Sequence, residues 1–185
     1  IAFTSANPAG AKVGGSYTVT ATGGASGNPV TFSLAASAAP FCTISGNVVS
    51  FNATGPCDII ASQLGNANYL DAAPVTQTVT VAPGASGVNI ASTPNPSQPG
   101  EAVTFTVSVA LDTTKGAAAR TKAAAEPTGT VSVTASDTGT VLGSAPLVNG
   151  TATVSTQLLT TAGSHAIVAS YSGDANYPAT TSLAF

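Results

Sequence analysis

Charge is scarce in this chain. Of 185 residues, 4 are Lys or Arg and 7 are Asp or Glu, where about a quarter would be usual. Four cations cannot neutralise a phosphate track, so nucleic acid is excluded as a partner. Trp and Met are absent, and His165 is the single histidine. Long apolar runs are lacking as well, although the mean hydropathy is +0.33. Residues 13–57 carry no charge, yet Gly, Ser, Thr and Asn break every hydrophobic stretch. Nothing approaches the ~20 apolar residues of a spanning helix, so no membrane insertion is expected within this segment. No basic, apolar leader opens the chain, and the numbering is expected to start inside a mature or excised protein.

Hydroxyls supply the polarity that charge does not. There are 28 Thr and 20 Ser, and Thr with Val suits a pleated, half-buried surface better than a helix. Period-two alternation follows. Tyr17/Val19/Ala21, Val30/Phe32/Leu34, Ile59/Ala61 and Val79/Val81 line one face each, as do Val103 to Leu111, Val131/Val133, Ala152/Val154 and Ile167/Ala169/Tyr171. Turn signals separate these runs every 8–12 residues or so, the spacing of a sandwich. No stripe of helical period competes. The fold class is all-β.

The chain also repeats itself. Gly65-Asn66-Ala67-Asn68-Tyr69 recurs as Gly173-Asp174-Ala175-Asn176-Tyr177, and Gly14 to Thr20 can be laid on Gly100 to Thr106. Asn7-Pro8 and Asn95-Pro96 lie upstream of these starts. Two tandem antiparallel β-sandwiches are therefore expected, at 1–82 and 88–185, joined by a small, Pro/Gly-rich linker at 83–87. Matching Tyr69 to Tyr177 leaves Thr78 to Val81 without equivalents in the second half, whose last strand is expected to stop about four residues early.

In the first half these motifs are VGGSYTVTATGGASGNPVTFSL (13–34), CTISGNVVSF (42–51), CDIIASQLGNANY (57–69) and APVTQTVTV (73–81). They resemble a bacterial immunoglobulin-like repeat. TPNPSQPGEAVTFTVSV (93–109), PTGTVSV (127–133) and AGSHAIVASYSGDANY (162–177) are similar to a sister class of such repeats. The resemblance implies immunoglobulin-like modules in tandem with neighbouring repeats of the same protein, on the cell surface or secreted. It implies stalks or binding modules of adhesins and secreted enzymes, and a disulfide between Cys42 and Cys57, but no particular ligand.

Read from the residues alone, Cys42 and Cys57 are either bonded, by strands that face each other, or two buried thiols. Their spacing is neither a redox nor a zinc motif. No catalytic residues are expected: His165 has no nucleophile elbow near it and reads as a strand-edge histidine. No cofactor is implied. Asp174 and Asn176 are a weak calcium pair, set against a corner in which Asx side chains cap main-chain amides and the tyrosine packs inward. An Ala-rich basic loop near 112–126 carries Lys115, Arg120 and Lys122, a candidate partner-binding loop or a plain connection. The open C-terminal edge admits strand addition by other copies. The function expected is a structural spacer in a surface adhesin or extracellular fibre. The alternatives are a module that binds a glycan or host protein, and an accessory domain of a secreted enzyme.

Overall fold

The computed structural model describes residues 1–111 and 124–185, which divide into two compact units, 1–84 with 124–125 and 85–111 with 126–185. Among the described residues there is no helix long and apolar enough to cross a membrane.

In the first unit the strands are β1 (Ala2–Phe3), β2 (Ser16–Thr18), β3 (Ala21–Thr22), β4 (Thr31–Leu34), β5 (Cys42–Ser45), β6 (Val48–Phe51), β7 (Gly55–Gln63) and β8 (Ala72–Val81). One sheet has the order β2-β6-β5 and the other β4-β7-β8, with β1 and β3 as a separate pair. Every antiparallel strand sends alternate side chains to opposite faces. Along β7 Cys57, Ile59 and Ala61 are buried, and Val79 and Val81 of β8 join them. Val19, Val49 and Phe51 cover this core from the other side. Each such side chain contributes about 1.5–3 kcal/mol by leaving water.

Cys42 and Cys57 form a disulfide, with Cα atoms 5.9 Å apart and both residues fully buried. Their strands do not pair. β5 and β7 belong to different sheets, so the bond ties one layer of the sandwich to the other.

The strands of the second unit are β9 (Ser86–Thr93), β10 (Val103–Leu111), β11 (Thr130–Ala135), β12 (Thr140–Pro146), β13 (Thr151–Thr156), β14 (Ile167–Tyr171) and β15 (Thr180–Thr181). They form two sheets, β13-β10-β9 and β12-β11-β14-β15. On β10 the residues Val103, Phe105, Val107, Val109 and Leu111 are all buried, and Val131, Val133, Ile167, Ala169 and Tyr171 oppose them. The sheets are dealt differently in the two units. β5 joins β6 in the first, whereas β12 joins β11 in the second.

The sequence repeat is a repeat of hydrogen bonds. The Gly15 amide donates to the Lys12 carbonyl, and the Glu101 amide to the Gln98 carbonyl. Gly14 donates to Phe51, and Gly100 to Leu159. Ile59 stands opposite Gln77; 108 residues later, Ile167 and Phe185 exchange main-chain hydrogen bonds of 3.1 and 2.9 Å.

Removing the inter-sheet bond frees a loop of 15 residues in the unfolded chain. In the chain-entropy account that costs about 3 kcal/mol. The C42A/C57A double variant should therefore lose about that much in urea unfolding followed at amide signals of β4 to β8. Signals of β9 to β15 should keep their midpoint.

Candidate functional site

Two groups of chemistry-bearing side chains in the second unit lie on its sheet β12-β11-β14-β15. The first is the end where His165 enters β14. β11 pairs with β14 so that Ala135 faces Ile167, and two residues further along the same register Asp137 comes opposite His165. The Asp137 carboxylate then lies 2.8 Å from His165 Nδ1. On the other side of the ring, Nε2 lies 3.1 Å from the Thr161 carbonyl and 3.2 Å from its hydroxyl.

A hydroxyl, an imidazole and a carboxylate in a row resemble a nucleophile with its base and orienting acid. The hydrogen bonding argues for another use. Both nitrogens face acceptors, which is satisfied when both carry protons. The Thr161 carbonyl, and then Asp137, hold the His165 pKa above its ordinary value. The His165 hydrogen bond in turn holds Asp137 below the usual carboxylate range. When both nitrogens carry protons, the ring has no lone pair with which to take a proton from Thr161. The three groups form a polar clasp at the end of the sheet. At the corresponding place in the first unit, 108 residues earlier, stands Cys57, which makes its clasp covalently.

The second place is the corner Gly173–Tyr177. Oδ1 of Asp174 accepts hydrogen bonds from the amides of Asn176 (2.7 Å) and Tyr177 (2.8 Å). Oδ2 accepts from the Thr128 amide (2.7 Å) and hydroxyl (2.9 Å). Burial pushes the Asp174 carboxyl up, but these donors outweigh it and hold the pKa below its ordinary value. Gly173 allows the turn: it has φ 78°, and a Cβ there would meet the Ala179 nitrogen at 2.6 Å. All four donors point at Asp174 from the protein itself, so its oxygens cap main-chain amides rather than face outward with Asn176 toward a cation. Among the described residues no group of three or more His, Cys, Asp or Glu side chains could hold a metal. Burial next to Asp174 pushes the Tyr171 hydroxyl pKa up, and that hydroxyl donates to the Thr128 carbonyl at 2.7 Å.

The first unit repeats the corner with an amide in place of the acid. Asn66 Oδ1 accepts from the amides of Asn68 and Tyr69 at 2.8 and 3.1 Å. The tyrosines differ. Tyr177 is fully buried, whereas Tyr69 is 51% exposed. Asn66 Nδ2 is tied to the Ser26 carbonyl instead.

Asp137 and Thr161 went unnoticed in the sequence. Their signal is register alone, since 28 residues separate Asp137 from His165. Lys115, Arg120 and Lys122 lie outside the described residues. All ten aromatic residues are described, and the two exposed ones, Tyr69 and Phe185, stand in different units.

The family model for the bacterial Ig-like domain (group 3) matches residues 90–185. No curated protein matches the chain. Among the solved structures to which the chain is similar are three. Dimeric latent PorU from Porphyromonas gingivalis is 16% identical with a TM-score of 0.35, over 89% of this chain and 16% of its own. The Yersinia pseudotuberculosis adhesin InvE is 13% identical at 0.35, over 95% and 56%. The fibronectin(III)-like modules of Clostridium thermocellum CbhA are 14% identical at 0.32, over 99% and 90%. The chain thus spans about a sixth and about half of the first two.

Two outcomes follow for these sites. Asp174→Ala removes the acceptor of four hydrogen bonds and should destabilise the second unit by on the order of 3 kcal/mol in urea unfolding. Because the folded pKa is depressed, the carboxylate's contribution is present above the unfolded value near 3.8 and fades as pH falls through the lower folded one. In NMR titration His165 should show a pKa above 6.5, falling in D137N. Its raised folded pKa places the clasp's contribution below pH 6.5, to be lost as pH rises through the folded value.

Proposed function

The chain belongs to the bacterial Ig-like domain family of group 3, and on that premise we propose that it is a structural spacer from a secreted or surface-exposed protein. The observation that carries this reading is how the polar groups are spent. His165, Asp137 and Thr161 hold one end of a sheet, and Asp174 holds a corner. Neither set presents a free base, nucleophile or ligand set to solvent. Each unit is built as two sheets about its own core, a design that separates a distal head from its anchor and resists proteolysis.

An extracellular or cell-surface setting agrees with the buried Cys42–Cys57 bond, since such bonds form and persist in oxidising compartments. A glycan-binding role receives less support. Sugar rings stack on rows of exposed aromatics, and Tyr69 and Phe185 stand singly. In its tandem setting the chain's partners are neighbouring Ig-like repeats.

Exchange tests the spacer reading. Replacing residues 1–185 in the parent protein with two unrelated Ig-like modules of equal length should leave display and function of the distal part unchanged. Shortening the segment by one module should reduce its reach. Loss of function on the equal-length exchange would refute the spacer role and point to a specific ligand.

A further inference from the structure

One strand edge is covered in the second unit and bare in the first, well inside both units. Phe32 stands opposite Ala61 of β7, and 108 residues after Ala61 comes Ala169 of β14, opposite Val133. In the same register Leu34 matches Ala135. In the second unit β12 lies along the far side of β11, with Val133 opposite Gly143 and Ala135 opposite Thr140. Under that cover Val133 and Ala135 are 0% and 1% exposed. In the first unit β5 joins the other sheet instead, and β4 is left as an edge. Phe32 and Leu34 stay half-buried at the rim of the core.

The main chain of β4 is open on that side as well. The Ala35 amide donates to the Asp58 carbonyl. In an antiparallel ladder, Thr31, Ser33 and Ala35 therefore turn their polar groups to β7, while Phe32 and Leu34 turn theirs away. Among the described residues nothing pairs with those outward groups. Beside them a cleft of about 520 Å³ opens between the sheets, lined by Val30, Phe32 and Ile44, with Gly46 and Asn47 at its end. Natural edges are usually blunted by lysine, proline or a bulge. β12 has a bulge opposite Val133–Thr134. Residues 30–35 have neither bulge nor proline, and no charged residue occurs from 13 to 57.

Length and symmetry select what fits. Pro29 lacks an N–H on one side of the edge, and a 3₁₀ turn at Ala36–Ala38 ends it on the other. A partner strand therefore gains pairing over little more than the length of β4. On that length β4 is its own complement. About a two-fold axis at Ser33, Phe32 of one copy stands opposite Leu34 of the other, and each such pair exchanges its N–H and C=O groups. The faces agree too. Phe32 and Leu34 of both copies fall on the inner side, over the joined clefts, and Ser33 meets Ser33 of the second copy on the outer side without charge to repel it.

We propose that β4 is a self-pairing edge, through which two copies of this chain join antiparallel at Phe32–Leu34. The pair then shares one continuous sheet of order β8-β7-β4-β4-β7-β8. A ladder of 4 residues falls short of the ~1,600 Å² of a standard stable interface. It links copies already crowded side by side rather than making a permanent dimer in dilution. Pairing of this kind is independent of the spacer role.

The test uses the 185-residue chain. In sedimentation equilibrium its mass should rise toward that of a dimer between micromolar and millimolar concentration. Over the same range the amide signals of Phe32 and Leu34 should shift. Their hydrogen exchange should slow about tenfold once about nine chains in ten are paired. Ser33→Lys sets like charges against each other on the axis, and Ser33→Glu does so with the opposite sign, at an exposed position that leaves the fold alone. Each should be monomeric, and an equal mixture of the two should associate at least as tightly as the parent chain. Leu34→Pro removes an outward N–H, keeps the ladder to β7 and should also be monomeric. A parent chain that stays monomeric at millimolar concentration overturns the proposal and leaves this edge to a foreign strand. Dimers that survive in both Ser33 variants pair elsewhere and overturn it too. If the charged mixture does not restore association, the register about Ser33 is wrong and the proposal falls with it.

Discussion

Each sandwich depends on a single requirement, that both sheets keep their inner faces covered along the whole length of the strands. In β10 five alternate residues meet this requirement, and in β14 three more do. The side chains that meet it are small: Val and Ala outnumber Leu and Phe among the buried positions. Small branched residues give little area each, so the cover must be continuous, and any stretch of strand without a partner leaves a gap that neighbouring side chains cannot reach across. Where strands are long and paired, as β7 and β8 are, no such gap arises.

The ends of the sheets differ in chemistry at matching positions. The first unit uses sulfur there, with Cys42 and Cys57 joining layers. The second places His165 at the matching position, and its contacts with Asp137 and Thr161 hold the end of one sheet, where β11 and β14 are neighbours. The covalent form constrains the unfolded chain, while the polar form acts only on the folded one and depends on protonation. The corners show the same exchange of chemistry on a fixed backbone: Asn66 and Asp174 accept hydrogen bonds from the same two main-chain amides of the repeat.

Much of the fold was legible in the residues because alternation and repetition are local signals. Val103 to Leu111 reads as a half-buried strand by period alone, and it is one. The recurrence of Gly-Asx-Ala-Asn-Tyr marked a corner that exists in both units. The placement of the fourth strand was not legible. β5 and β12 are edge strands that gain a similar ladder on either sheet, so composition does not decide between them. The clasp was hidden for a different reason. Asp137 and His165 meet only through the β11–β14 register, which a single sequence leaves open to any slip of two residues. The difference in burial between Tyr69 and Tyr177 was not legible either, because their motifs match.

The poverty of ionised groups has a further consequence once the hydrogen bonds are placed. Among the described residues one pair of oppositely chargeable side chains is in contact, Asp137 with His165. Elsewhere neutral hydroxyls join neighbouring segments, as Thr104 with Ser155 and Thr4 with Thr20 do. Mobile ions screen charges and leave dipoles largely alone. The folding of such units would therefore depend little on ionic strength.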